Sequence, residues 1–223
     1  MGNPVVIGVC GSTVSGGNTE QFLKTALDAS EKHGGVTEFI PLAGKNISDC
    51  CQCNWCFKKQ TANQLCSIKD DAVSVLNKMI LADVVLLASP VYFGRMTGVM
   101  ASFIDRCRAF VFGATYEGAM RNKIGGALAV GWLRNSGLET ALLTIHQSFL
   151  MLEMIPVSHH HSGVVFGAAG VSAPQEKGKA SQANKLGILS DSYGLKGARA
   201  LGKRAVDLAQ IIKAGASSTS HKS

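Results

Sequence analysis

Cys50, Cys51, Cys53, Cys56 and Cys66 crowd one short stretch of the chain. Three of them keep a spacing of three, Cys50-x2-Cys53-x2-Cys56, and Cys66 follows after nine further positions. Core packing asks for no such run. Thiolates at every third position of a tight loop can grip three corners of one small inorganic core, and a more distant thiolate can reach back to close it. Zinc competes for such a set, but zinc sites usually pair two separated Cys-x2-Cys knuckles, whereas this is one continuous array. A zinc-binding interaction module is therefore the weaker reading.

A second chemical signal is the stretch Gly11-Ser12-Thr13-Val14-Ser15-Gly16-Gly17-Asn18, which joins an apolar run to a helical pattern. Ser12, Ser15, Asn18 and Thr19, with the local backbone amides, can surround a phosphate at the positive end of that helix. A nucleoside-triphosphate loop would carry Lys near Gly17, and a dinucleotide fold would show G-x-G spacing; neither is present. A phosphatase built on Cys10 would need an Arg near Gly16. Hydroxyls without Lys or Arg suit a phosphate monoester; the plain alternative is a solvated turn.

Ser89-Pro90-Val91-Tyr92-Phe93-Gly94 sets a rigid proline and two aromatics directly after a buried strand, a shelf for a flat heterocycle. Aromatic packing at a strand end would look the same, but beside a phosphate loop the combination reads as a flavin site. Gly131-Trp132-Leu133-Arg134-Asn135-Ser136-Gly137 can form the other wall, with Arg134 favouring negative charge on a reduced flavin and Asn135 or Ser136 capping the next helix. His159-His160-His161 are adjacent and so converge poorly on one ion; they read as an exposed loop.

The elements that must position these loops follow from periodicity. Val5–Cys10 is a buried strand, a helix runs from Thr19 to about Lys32, and Val36–Ile40 is a second strand. Asp70-Asp71 can cap a helix carrying Val73, Leu76 and Ile80. Val84–Ala88 is uniformly apolar, as in a strand covered on both faces. Thr97 opens a helix with a Met100, Phe103, Ile104, Cys107 stripe, which assigns Cys107 to the core. Ile124–Gly131 is a fourth strand, Leu138, Ala141, Leu142 and Ile145 face inward on the next helix, and Leu201, Ala205, Leu208 and Ile212 mark the last. Either Met154–Val157 or Val164–Phe166 supplies a fifth strand. Ser172–Lys185 reads as an exposed loop.

The expectation is an α/β fold with a doubly wound, five-stranded parallel sheet and a cysteine-rich loop after strand 2. Its ligands bind beyond the carboxyl ends of the strands. All four chemical loops, the thiol loop included, are placed at that one end. Residues 1–213 form one domain with an insertion at about 46–69, and 214–223 form a disordered Ser- and Lys-rich tail.

Composition agrees with an enzyme. The chain has 223 residues, 46% of them hydrophobic, enough for one sizeable core. The net charge of +7 is scattered rather than gathered into the basic face that a nucleic acid needs. No charged leader and no apolar run of the ~20 residues of a membrane span is seen, and clustered thiols suit a reducing compartment. A cytoplasmic protein that binds neither nucleic acid nor membrane is expected.

Gly11-Ser12 through Gly17-Asn18-Thr19, the cysteines ending in Asp70-Asp71, Ser89-Pro90-Val91-Tyr92, Asp105-Arg106 and Arg134-Asn135 together resemble the flavodoxin-like NAD(P)H-dependent FMN reductases, and the cysteines make the chain most similar to their iron-sulfur flavoprotein branch. The resemblance extends from Val5 to about Leu208. It implies an FMN phosphate on Ser12, Ser15, Gly17, Asn18 and Thr19, and the isoalloxazine between Pro90, Val91, Tyr92, Phe93, Gly94 and Gly131, Arg134, Asn135, Ser136, Gly137. It implies a 4Fe-4S cluster on Cys50, Cys53, Cys56 and Cys66, although the gap before Cys66 exceeds the compact family form and Cys51 is extra. NAD(P)H would donate electrons to a small-molecule or protein acceptor, with no acid or base side chain required, and the chain would form a homodimer or homotetramer. A cluster-free FMN or quinone reductase is the alternative.

Overall fold

In the computed structural model, residues 2–173 and 185–219 are described. In chain order the elements are β1 (Val5–Cys10), α1 (Asn18–Lys32), β2 (Val36–Pro41), α2 (Trp55–Lys59), α3 (Asp71–Leu81), β3 (Val84–Tyr92), β4 (Arg95–Met96), α4 (Gly98–Arg106), α5 (Arg108–Val111), β5 (Ile124–Gly131), α6 (Leu138–Met151), β6 (Ile155–Pro156), β7 (Ala168–Val171) and α7 (Ser192–Thr219). The central strands are apolar at successive positions because both their faces are covered: β5 is buried throughout and β3 is buried from Val84 to Pro90.

The sheet runs in the order β2-β1-β3-β5-β6, with β7 also pairing β5. Its long pairings are parallel, in the registers Val6↔Thr37, Val9↔Leu87 and Leu87↔Ala127. Winding reverses between β1 and β3, which opens a crevice at their carboxyl ends. On one face Leu76, Met79, Met100, Phe103, Ile145 and Phe149 of α3, α4 and α6 are buried. On the other, Phe22 and Leu23 of α1 meet Leu201, Ala205 and Val206 of α7. Glycine at 202 allows α1 and α7 to touch, since a Cβ there would press into the backbone carbonyl of Ala26.

The sheet has seven strands rather than the expected five. One addition is β4, which pairs antiparallel with the end of β3. The other arises because the fifth position is shared: β6 pairs with the start of β5 and β7 with its end. Pro156 lacks the N–H that would continue a ladder, and the chain leaves the sheet before returning at Ala168. Val164–Phe166 is not a strand; Val164 makes only an isolated bridge to His159. The sequence Ala168-Ala169-Gly170-Val171 has almost no β-branched signal, and so went unread. Helix α7 continues to Thr219, into the stretch expected to be a disordered tail. Of the expected exposed loop at 172–185, residues 174–184 lie outside the described residues. Among the described residues no helix is long and apolar enough to cross a membrane.

The α1–α7 contact leaves no room for a side chain, so Gly202→Ala should lower unfolding stability by about 1–3 kcal/mol, read from urea denaturation. An unchanged midpoint would show that the two helices separate freely.

Candidate flavin rim and cysteine centre

At the carboxyl rim the first loop is bolted to the third by buried polar groups. Gly11 N donates to Ala88 O at 2.7 Å and Thr97 Oγ1 donates to Gly11 O at 2.7 Å, while Thr97 N donates to Ser89 Oγ at 3.0 Å. Thr97 also caps α4 by accepting from Met100 N. Neither Ser89 nor Thr97 was singled out as a site residue from sequence; the readable signal was a serine ending an otherwise apolar strand.

The first loop is held by its own short contacts. Ser12 is buried and its Oγ accepts from Val14 N at 3.0 Å. Gly16 N donates to Glu20 Oε2 at 2.8 Å, and Glu20 also takes Lys24 Nζ at 2.7 Å. Helix α1 starts at Asn18 after an extended Gly17 that supplies no side-chain cap, so its first-turn N–H groups face the loop without a side-chain oxygen. Asn18 is committed elsewhere: its Nδ2 donates to Lys185 O at 3.2 Å and its Oδ1 accepts from Ile188 N at 3.0 Å. Thr19 is buried and Ser15 exposed.

Pro90–Gly94 is the first arm and turn of a hairpin rather than an open loop. Tyr92 pairs with Arg95 across Phe93 and Gly94, at φ +53° and +81°. Two successive positive φ values are the signature of a tight two-residue turn. Thr13 Oγ1 lies 3.3 Å from Tyr92 OH, which joins this hairpin to the first loop. The third wall closes on it at Gly137, φ +104°, where any Cβ would overlap the Gly94 backbone. Ser136 Oγ donates to Leu133 O at 2.6 Å, beside the buried Gly131. Arg134 and Asn135 are exposed. Tyr92, Phe93, Trp132 and Leu133 stand exposed along this rim, and of these Trp132 and Leu133 carry no sequence signal that marks them as site residues.

The thiols lie elsewhere. Cys50, Cys51, Cys53, Cys56 and Cys66 line one small hollow together with Arg106 and Arg108. Arg106, the last residue of α4, bonds Cys66 Sγ, and the nine residues of that helix, roughly 13 Å long at ~1.5 Å per residue, separate it from Thr97, the N-cap that makes the rim contacts. Helix α6 leaves the Gly131–Gly137 wall and ends at Met151, which lines a neighbouring hollow with Cys50 and Gln52. The segment after β2 runs alongside α4, fastened by Asp49 to Ser102 and by Ser48 and Asp70 to Arg106.

Electrostatics at this end centre on a buried pair. Arg106 Nη1 meets Asp70 Oδ2 at 2.6 Å, with both side chains almost wholly buried. Burial would raise the Asp70 pKa, but the Arg106 hydrogen bond and the Ser48 N–H outweigh it and hold the carboxyl below its usual range. Cys53 Sγ lies 3.2 Å from Ser67 Oγ. Among the described residues no three His, Cys, Asp or Glu side chains are grouped to hold a metal ion as they stand. Cys10 and Cys107 are buried, and burial pushes their thiols up to about 11 and about 12, so neither is a ready nucleophile. His160 and His161 are exposed on a short 3₁₀ turn, while the His159 backbone bridges to Val164.

Comparison with known proteins decides the family. A model of the family described as NADPH-dependent FMN reductase matches residues 4–169. The chain belongs to that family. An iron-sulfur flavoprotein of Methanocaldococcus jannaschii is 39% identical over 208 residues, covering 93% of this chain and 98% of its own. One from Methanosarcina thermophila is 30% identical over 166 residues, covering 74% and 83%. A similar fold is seen in solved structures. RosB with bound 8-demethyl-8-formylriboflavin-5'-phosphate is 16% identical, with TM-score 0.70 over 99% of this chain and 88% of its own. A flavodoxin, WrbA-like protein from Agrobacterium tumefaciens is 14% identical, with TM-score 0.59 over 93% and 98%. At those identities the likeness speaks for a flavodoxin-like fold alone. Membership in the iron-sulfur flavoprotein branch makes this chain an FMN-dependent oxidoreductase.

Asp70→Ala strands the buried Arg106 charge and should cost about 3–5 kcal/mol at neutral pH. Because the folded Asp70 carboxyl is held low, its contribution is full above about pH 4 and disappears as pH falls through the folded value. The gap between denaturant titrations of wild type and Asp70→Asn should therefore begin to narrow below about pH 4 and close only once pH has fallen through the lower folded value; a gap constant with pH would refute the ion pair's role.

Proposed function

We propose that this oxidoreductase takes electrons from NAD(P)H at the carboxyl rim and delivers them to an acceptor through FMN and a 4Fe-4S cluster held by Cys50, Cys53, Cys56 and Cys66. The observation that carries the reading is the gathering of five thiols around one hollow at the far end of the helix that also anchors the rim. In donor type and number these thiols fit an iron–sulfur cluster, and among the described residues no carboxylate or imidazole lines their hollow. Bound FMN would accept a hydride and give up electrons singly, and a cluster would relay them.

The chain's own groups do the positioning. First-turn amides of α1, with Ser12, Ser15, Gly17 and Thr19, receive the phosphate, and Asn18 contributes its backbone N–H because its side chain holds Lys185 and Ile188. Pro90–Gly94 offers hairpin amides and rings to one edge of the flavin, and Gly131 with Arg134–Gly137 closes the other. The exposed Arg134 guanidinium favours an anionic reduced ring. Large apolar side chains exposed at both ends, among them Phe93, Trp132, Phe57, Phe112 and Met151, suit association into a homodimer or homotetramer.

A cluster-free FMN reductase is the second reading, favoured because among the described residues no three of the thiols lining that hollow are close enough to hold a metal ion as they stand. Anaerobic purification separates the two: yellow protein with iron and acid-labile sulfide supports the first, and yellow protein with neither supports the second. Cys50→Ser should lose iron and sulfide while keeping FMN. Unchanged iron in that variant removes Cys50 from the ligand set, and protein that takes up no FMN overturns both readings.

A further inference from the structure

Arg106 heads the fully buried side chains by volume among the described residues, yet it carries a charge and the scheme above gives it no part. Nη1 donates to Ser48 O at 3.1 Å as well as to Asp70, and Nη2 donates to Ile68 O at 3.3 Å and to Cys66 Sγ at 3.2 Å. Ser48 lies just before the first cysteine; Ile68 and Asp70 lie just after the last. One planar fork thus closes both ends of the cysteine segment while aiming an N–H at one of its sulfurs.

Stability alone does not account for this arrangement, because well-packed apolar side chains often replace a buried ion pair without loss. A lysine could satisfy Asp70 but could not reach four acceptors in a plane. We infer that Arg106 is a positioning residue of the cysteine centre, clasping residues 48 and 68–70 and donating to Cys66 Sγ so as to raise the reduction potential of a cluster bound there. The second half rests on the proposed cluster. It follows from charge: a nearby cation and an N–H···S bond both stabilise the more reduced, more negative state. Among the described residues Cys66 is the one thiol that accepts a hydrogen bond from a cationic side chain. Cys53 has a neutral partner in Ser67.

Two measurements test this. In the chain without iron, hydrogen exchange followed by mass spectrometry should show segment 46–70 opening about tenfold faster in Arg106→Gln than in wild type, with protection of the β1 and β3 strands kept. Equal exchange overturns the clasp. In protein loaded anaerobically with iron and sulfide, Arg106→Lys should retain its metal and show a lower midpoint potential by redox titration. A fully loaded Arg106→Lys with the wild-type potential overturns the role toward Cys66. Wild-type protein that binds neither iron nor sulfide removes the cluster reading and that role with it, and the exchange experiment then decides the clasp by itself.

Discussion

Helix α4 is fastened by buried hydrogen bonds at both ends, and the two chemical regions hang from those fastenings. At its start Thr97 bonds Gly11 and Ser89, which locks the first and third rim loops to each other. At its finish Arg106 bonds Asp70, Ser48, Ile68 and Cys66. Between them Met100 and Phe103 are wholly buried, so the helix cannot slide along its axis without losing both sets of bonds. The rim contacts of Thr97 and the bonds of Arg106 to the cysteine segment are thereby held at the two ends of one nine-residue helix.

This rigidity comes from polar groups that would be costly if any partner were missing. Ser89, Thr97, Arg106 and Asp70 are all buried. Gln60 shows the same economy in the cysteine segment, where its amide donates to Leu65 O and Ala109 O and accepts from Thr115 N and Tyr116 N. Short helix α2 buries none of its own side chains, so this amide, directly after it, does much to dock it.

Apolar runs made β1, β3 and β5 legible in the sequence, and the i, i+3, i+4, i+7 stripe of Met100, Phe103, Ile104 and Cys107 announced α4. Loop composition drew attention to Ser12, Tyr92 and Gly137, which the structure sets along one rim. Residue types were readable there, but the path of the chain was not. The order of elements says that the cysteines follow β2, but the path of the chain alongside α4 depends on Asp49, Ser48 and Asp70 finding partners on or near that helix, and no periodicity encodes such contacts. Asn18 was read by its chemistry as a phosphate ligand, whereas its side chain reaches residues far along the chain. The Ala168–Val171 strand escaped because small residues carry little β preference.

The divided fifth position of the sheet bears on how copies of this chain can meet. On that margin β6 is two residues long and ends in Pro156, and β7 is four residues long. The opposite margin, β2, carries Glu38 paired to Lys78 on its outer surface. Short strands, proline and charge make poor templates for backbone pairing with a stranger. Any contact between copies of this chain would thereby fall on helices and turns rather than on paired strand backbones.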